Sequence, residues 1–510
     1  MKVLLLLVWI SLVQCSVNNT ICVRHSHGSL TAGTWNQDCT EICDSISECD
    51  YSSYVFTLIV LEGGDHKLSK SLQFHDRHLI KFHGSKMDTK ILCASNSGLQ
   101  FINVVDVSIS KLIIQNCGVR LQSTGNYFLN AIFISRAEMV ELLNITVIHS
   151  PGNSISLINV HDKVLVDGSI FLSNNMRNVS SGFYIEYSGC DPAVNATKDA
   201  TQILISNSRF TGKYSSSIPE SNIGGHSIEG LSFIFSECAS HVSSTISESI
   251  FLGNAATIGC GLHVHFLGSS HNNSVTVSSS SFMDNICIRD NDTLHDVYAG
   301  GGGGINVVFD DVSSHNAVII ENCKVINNTA FFGGGLLILF QNSSCENTVN
   351  IVASNFSNNG HGSNVPTRGG GLSVLLIDKS YGNNVSLNGI LFAENRAERG
   401  AGMHVQFQNS SEYNTDSVVE SDFIFNVCPD RTNSPGVSGG GSGGGIEAGY
   451  HFWQKDAPAN NAISISFCYF EHNFATFGGG VSLFSSYTLY EVVHNSFSLT
   501  GCLWYKIANS

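Results

Sequence analysis

The chain has 510 residues, of which 49 are Gly and only 7 Pro, with 13% charged residues and a formal charge of −16. Average chains are nearer 25% charged, with Lys and Glu decorating helices, so a chain rich in Ser, Asn and Gly argues against a helical protein. The acidic balance argues against a nucleic-acid partner, which requires a basic stripe.

The first element is MKVLLLLVWISLVQC, residues 1–15, with one basic residue and an apolar stretch too short to span a bilayer, followed by polar SVNNT. This is the layout of a secretory signal peptide. No later run reaches the roughly 18 uncharged apolar residues of a membrane helix, so the expected location is extracellular, or the cell surface if the natural chain continues into an anchor. Residues 16–50 contain Cys22, Cys39, Cys43 and Cys49 and are expected to form a disulfide-stapled cap. The 16 cysteines include one at the leader's end, so an odd number remains and at least one is free or paired with another chain. Close Cys or His pairs with zinc spacing are lacking, and neither a metal nor a cofactor is expected.

Residues 51–245 alternate polar and apolar positions, as in GLQFINVVDVSISKLIIQNC from Gly98 and SISLINVHDKVLVDGSIFLSN from Ser154. These are short strands of irregular coils. Cys93 and Cys117 each close an apolar run and lie 24 residues apart, near one coil, so they are expected to bond.

Residues 246–485 repeat one word: F-x-x-N, a variable stretch, paired or tripled glycines, then apolar-x-apolar-x-apolar, as in VINNTAFFGGGLLILF from Val325 and FEHNFATFGGGVSLF from Phe470. Its asparagines are Asn254, Asn285, Asn328, Asn359, Asn395, Asn426 and Asn473, at intervals of 31, 43, 31, 36, 31 and 47. A recurring minimum with variable excess means a fixed structural turn carrying loops of differing length. Each turn stacks on the last at about 4.8 Å, which makes the chain an all-β, right-handed parallel β-helix, a single elongated solenoid. Phe266, Phe309, Phe340, Leu376, Phe407 and Tyr450 are expected to form one inward stack, and the seven asparagines a ladder of side-chain amides in the left-handed conformation. Glycine is expected where the coil bends sharply and neighbouring backbones approach closely. A nucleotide-binding loop is excluded, because a strand rather than a helix follows the glycines.

Eleven N-x-S/T sequons occur, and Asn272, Asn327, Asn342, Asn355, Asn384 and Asn409 in the regular region are the expected glycosylation sites. Four of them, at 272, 342, 384 and 409, fall in polar loops that leave the glycine strand. Residues 486–510 read as an incomplete coil, with Phe497 in the Phe position and Thr500 where Asn belongs, so the natural product is expected to continue.

The F-x-x-N and Gly-Gly-Gly-Leu units resemble the pectate-lyase-like right-handed β-helix superfamily. They are closest in style to its Gly-rich variant in chlamydial polymorphic outer-membrane proteins and in secreted or surface families of invertebrates. The resemblance covers Ile246 to Ser485 and implies an extracellular solenoid used for adhesion or recognition; it brings no catalytic residue. Polygalacturonase-like members carry N-T-D, D-D, G-H-G and R-I-K in that order. Here Asp310-Asp311 and Gly360-His361-Gly362 are present, Asn414-Thr415-Asp416 follows both, and no Arg-x-Lys comes after. The reading is therefore not an enzyme but a noncatalytic glycoprotein scaffold for an extracellular protein or glycan ligand. The alternative is a carbohydrate-active β-helix enzyme with an unfamiliar site. His263, His265 and His404 point out of their strands and are read as solvated surface residues.

Overall fold

The computed structural model describes residues 19–23, 41–43, 45–46, 49, 56–94, 97–120, 129–150, 153–172, 182–188, 200–212, 230–288, 300–360, 368–429, 441–451, 458–485, 494–505 and 508–509. The leader, Cys39 and His361 lie outside them. The described residues form strands and turns, and all but four of the strands fall into three long sheets of 16, 14 and 14 strands, the rest into two two-stranded sheets.

Each regular coil contributes one strand to each sheet, and every rung pairs in parallel with the rung before it. One such coil runs Ala317–Glu321, Lys324–Ile326 and Leu336–Phe340, beneath Thr348–Val352, Asn355–Ser357 and Leu372–Leu376 of the next. The chain is a right-handed parallel β-helix. Asn19–Val23 pairs with both Glu41–Cys43 and Phe56–Leu61, so the Cys-rich start extends the first sheet, with Cys43 bonded to Cys49. Cys93 and Cys117 are bonded with Cα atoms 4.8 Å apart, and Cys260 with Cys287.

The core is built from like-on-like columns. Phe210, Phe251 and Phe282 stack at 4.7 and 4.5 Å, and Phe392, Phe423, Phe470 and Trp504 continue the column at 4.8, 4.9 and 4.4 Å. A second column runs through Phe235, Phe266, Phe309 and Phe340 at 4.8, 5.0 and 4.7 Å, with Phe407 on Tyr450 at 5.5 Å. Trp504, not Phe497, occupies the Phe column in the last coil; Phe497 pairs with Ile463 in the first sheet. The sequence frame there was one strand out of step.

The asparagine ladder is continuous from Asn254 to Asn473. Each Nδ2 donates to the Oδ1 of the next asparagine, at 2.8 Å for Asn254 to Asn285 and 3.1 Å for Asn328 to Asn359. Each also donates back to the carbonyl of the Phe position one coil earlier, as Asn395 does to Phe356 at 2.8 Å. The ladder residues do not take the left-handed conformation expected of them. That falls on the residue before each: Gly253, Asp284, Asn327, Asn358, Glu394, Phe425 and His472, with φ between 51° and 63°. The ladder amide must point inward to meet its neighbours, so the preceding residue carries the reversal.

A second ladder escaped the sequence reading. Asn273, Asn316, Asn347, Asn383, Asn414 and Asn461 link in the same way in the turn before the first sheet, at 3.0 to 3.1 Å. Its signal is an asparagine immediately before each alternating run, as in N-SVTVS, N-AVIIE and N-TVNIV. Asn495 accepts from the Asn461 amide N–H at 2.8 Å, and reading this ladder would have framed the last coil correctly.

Candidate functional site

The strands that follow the glycines form the third sheet, and their outward positions are not solvated. Asn306, Leu337, Leu339, Ser373, Leu375, His404, Gln406 and Glu447 all point out of the coil and are buried. The expectation for the histidines is thereby corrected: His404 is 0% and His263 4% exposed. A parallel sheet covered on both faces reads as a continuous apolar run, and LLILF does so.

Two polar groups flank the apolar cluster of Val308, Leu337, Leu339, Leu375 and Ile377 on this face. In the first, the His263 and His265 rings lie 5.6 Å apart, His265 Nε2 is 3.8 Å from Asp310 Oδ2, and His263 Nδ1 is 3.3 Å from Asn306 Nδ2. Burial, with His265 adding to it, pushes His263 down to about 3, so its ring is neutral and accepts from the Asn306 amide. Burial acts to raise Asp310, but the nearby His265, the Asp311 amide and Asn342 together hold it below the usual carboxylate range.

The second group is richer. His404 presents Nδ1 to Glu447 Oε2 at 3.0 Å and Nε2 to Gln406 Oε1 at 3.2 Å, while Arg368 Nη1 donates to the same Gln406 oxygen at 3.1 Å. Both ring nitrogens thus lie within hydrogen-bond distance of side-chain oxygens. Ser442 donates to the other Glu447 oxygen. Arg368 and Arg399 occupy equivalent positions on successive coils, in the glycine turn between Phe332 and Ser442. Arg368 lies 5.5 Å over the Phe332 ring and Arg399 5.8 Å over the Phe484 ring. Phe484 in turn stacks on His404 and fills the space left by Gly449, where a Cβ would lie 2.5 Å from the ring. Burial and the neighbouring Arg399 draw the Arg368 guanidinium below its ordinary value, against Glu447 and Glu398.

The network thus has a sealed floor of His404, Gln406 and Glu447 and a rim of Arg368, Arg399 and Phe484. Chemically it offers two guanidinium groups over aromatic rings for an anion, above a buried histidine–carboxylate pair that holds the rim in place. Sequence reasoning named His404 but missed Arg368 and Arg399. Their signal is an arginine just ahead of the glycines in both RGGGL and RGAGM.

The remaining sequence-derived residues lie elsewhere. Asn272, Asn342 and Asn409 sit in left-handed positions of the turn between the third and first sheets. Asn272 and Asn342 are exposed, and Asn409 is half-buried, donating to Asp378 at 2.9 Å. Asn327 is exposed in the turn after the second sheet. Asn384 begins a first-sheet strand rather than a loop and accepts from Thr415 at 2.8 Å, and Asn355 lies in a second-sheet strand. No group of three or more His, Cys, Asp or Glu able to hold a metal ion occurs among the described residues.

No family model and no curated protein match the chain. Solved structures similar to it include a periplasmic alginate epimerase at 10% identity, covering 87% of this chain and 77% of that one with a TM-score of 0.35. Another is tailspike protein 3 of bacteriophage CBA120, at 10% identity and a TM-score of 0.43 over 89% of this chain and 57% of that one. A third is the A-module of the Azotobacter vinelandii mannuronan C-5 epimerase, at 11% identity, 86% and 91% coverage and a TM-score of 0.32. All three are right-handed parallel β-helices.

The expectation that the chain is not an enzyme is corrected by this comparison. Two of the three structures are epimerases, so the absence of one family's catalytic words excludes that family alone.

Proposed function

We propose that this chain is an extracellular β-helix that recognises carboxylate-bearing carbohydrate at the rim of the third sheet, with Arg368 and Arg399 as the binding pair. The observation that carries this reading is the placement of two guanidinium groups over aromatic rings, 5.5 and 5.8 Å from the centroids, at equivalent positions one coil apart. A guanidinium carries five N–H donors in a planar fork that matches a carboxylate with two parallel hydrogen bonds, and the bond from Arg368 Nη1 to Gln406 uses one of them. The two sit in a chain with 25 basic against 41 acidic residues, where an arginine pair is not part of any general basic surface. His404 and Gln406 hold Arg368 in place. The extracellular setting is supported by the disulfides and the leader-like start, and no helix among the described residues is long and apolar enough to cross a membrane.

Calorimetric titration of the secreted chain with an oligouronate and with a neutral oligosaccharide of equal length tests the reading. The oligouronate is expected to bind more tightly, and Arg399→Gln to weaken it at least about tenfold, the worth of a charge-assisted pair. Equal affinity for both sugars, or an unchanged variant, overturns it. Product analysis of the same mixtures reads out any turnover.

A further inference from the structure

The turn between the first and second sheets carries a column of buried small polar residues. Ser249 accepts from the Ser208 amide and Ser280 from the Ser249 amide, and Ser354 from that of Cys323. Each serine hydroxyl also donates to the carbonyl two residues earlier, as Ser354 does to Val352 at 2.9 Å and Ser421 to Val419 at 2.8 Å. In the last two coils the column positions are both cysteine. Phe467 and Gly501 make the same left-handed turn at φ 54° and 64°, and Cys468 and Cys502 follow them. Leu503 N–H donates to Cys468 O at 2.9 Å, and Tyr469 pairs with Leu503, so the two cysteines sit directly over one another on adjacent rungs. Both take the orientation of the serines: Cys468 Sγ lies 3.3 Å from Ser466 O and Cys502 Sγ 3.5 Å from Thr500 O. Each thiol also faces a carbonyl of the coil before it, Cys468 Sγ at 3.7 Å from Val418 O and Cys502 Sγ at 3.9 Å from Ile465 O. Both are free thiols here, Cys468 buried and Cys502 half-buried.

We propose that Cys468 and Cys502 are an oxidisable pair whose disulfide staples the last coil to the one before it. Parallel neighbours lie about 4.8 Å apart, inside the Cα–Cα range a disulfide requires. The same chain already bridges adjacent coils at this spacing through Cys93 and Cys117, 4.8 Å apart. The oxidant is a protein disulfide of the secretory compartment. The thiolate of Cys502, the more accessible partner, attacks one carrier sulfur; the carrier S–S bond breaks and a mixed disulfide forms. Cys468 then loses its proton and attacks Cys502 Sγ, and the second carrier thiolate leaves. Two electrons and two protons pass to the carrier, which becomes a dithiol. Column geometry explains why these two pair and Cys323 does not: its neighbours are Ser280 and Ser354.

The test uses the full chain secreted from an oxidising host, alkylated without reduction, digested and mapped by mass spectrometry. The expected product is a Cys468–Cys502 cross-linked peptide pair, two hydrogens lighter than the two thiol peptides together. Both cysteines alkylated, or Cys502 joined to any other cysteine, overturns the proposal. A second reading compares amide exchange in Ser496–Thr500 and Leu503–Tyr505 between the wild type and Cys502→Ser. Exchange at least about tenfold slower in the wild type is expected for a loop-closing bond, and equal rates overturn the stapling.

Discussion

Asp416 faces the core between Val385 and Ile463 of the adjoining coils, and neither of its carboxylate oxygens has a hydrogen-bond partner. Burial raises it to about 8, so it is held as the neutral acid. The unfolded chain gives up this proton near pH 4 and the folded chain near pH 8. Between those values the folded state binds one more proton, and stability falls by about 1.4 kcal/mol per pH unit before levelling off. Asp416→Val is expected to raise the thermal midpoint at pH 7.5 and to flatten its dependence on pH between 5 and 8; an unchanged slope in melts across that range shows that another group is responsible. The interior ladder asparagines behave in the opposite sense, because their side-chain groups are used, as at Asn359. Asn359 Oδ1 receives both the backbone and side-chain N–H of Asn328, and its Nδ2 bonds Val325 O and Asn395 Oδ1. Asn359→Ala strands several buried partners and is expected to cost about 3 kcal/mol or more, lowering the urea midpoint. The sequence displayed Asn359 as one of a periodic set, but its conformation was hidden. Asparagine is common in left-handed turns, and here the demand for an inward amide moved that conformation to Asn358.

At the scale of the element, a glycine before a third-sheet strand and one in the turn after such a strand differ in what they do. A Cβ on Gly335 would lie 2.5 Å from the Gly371 carbonyl and 3.1 Å from the Phe356 ring, a collision with the next coil's backbone. A Cβ on Gly382 would meet nothing closer than the Glu346 side chain at 3.6 Å, leaving only the strain of its φ of +62°. Gly335→Ala is therefore expected to destabilise the rod clearly more than Gly382→Ala, whose strain is worth about 1 to 2 kcal/mol; equal shifts in paired thermal melts would show that coil contact does not set the glycine requirement. The glycine word was legible because it recurs in coil after coil. The arginine rim was not, since the position ahead of the glycines is arginine in only two adjacent coils and Phe or Ser in others. Burial of the third sheet's outer face was legible only where a strand is apolar throughout, as in LLILF, because alternation reports which side a residue takes but not whether water lies there.

For the whole molecule, three parallel sheets share one core in which each coil touches mainly the coils beside it, so stability is approximately a sum of neighbour terms. Most of this was readable, because a solenoid writes its period directly into the chain. Exposed apolar side chains gather in the final rungs, with Leu503 68%, Tyr505 48% and Trp504 43% exposed. The turns between sheets are the surface on which sugar is compatible with the rod, and we propose occupied sequons at Asn272, Asn327 and Asn342, which are exposed at left-handed turn positions. Site mapping after enzymatic deglycosylation is expected to find all three converted to Asp; three unmodified asparagines would remove the glycan edge from this picture.

The two asparagine ladders also give the rod a direction. In a parallel sheet successive amides point alternately up and down the axis and largely cancel, but every ladder side chain donates from its Nδ2 toward the following coil. The individual amide dipoles therefore add along the axis. Asn254, the first rung, has an Oδ1 that meets no donor. One end of the array is thus an acceptor and the other a donor, so two such rods side by side are electrostatically matched antiparallel rather than parallel.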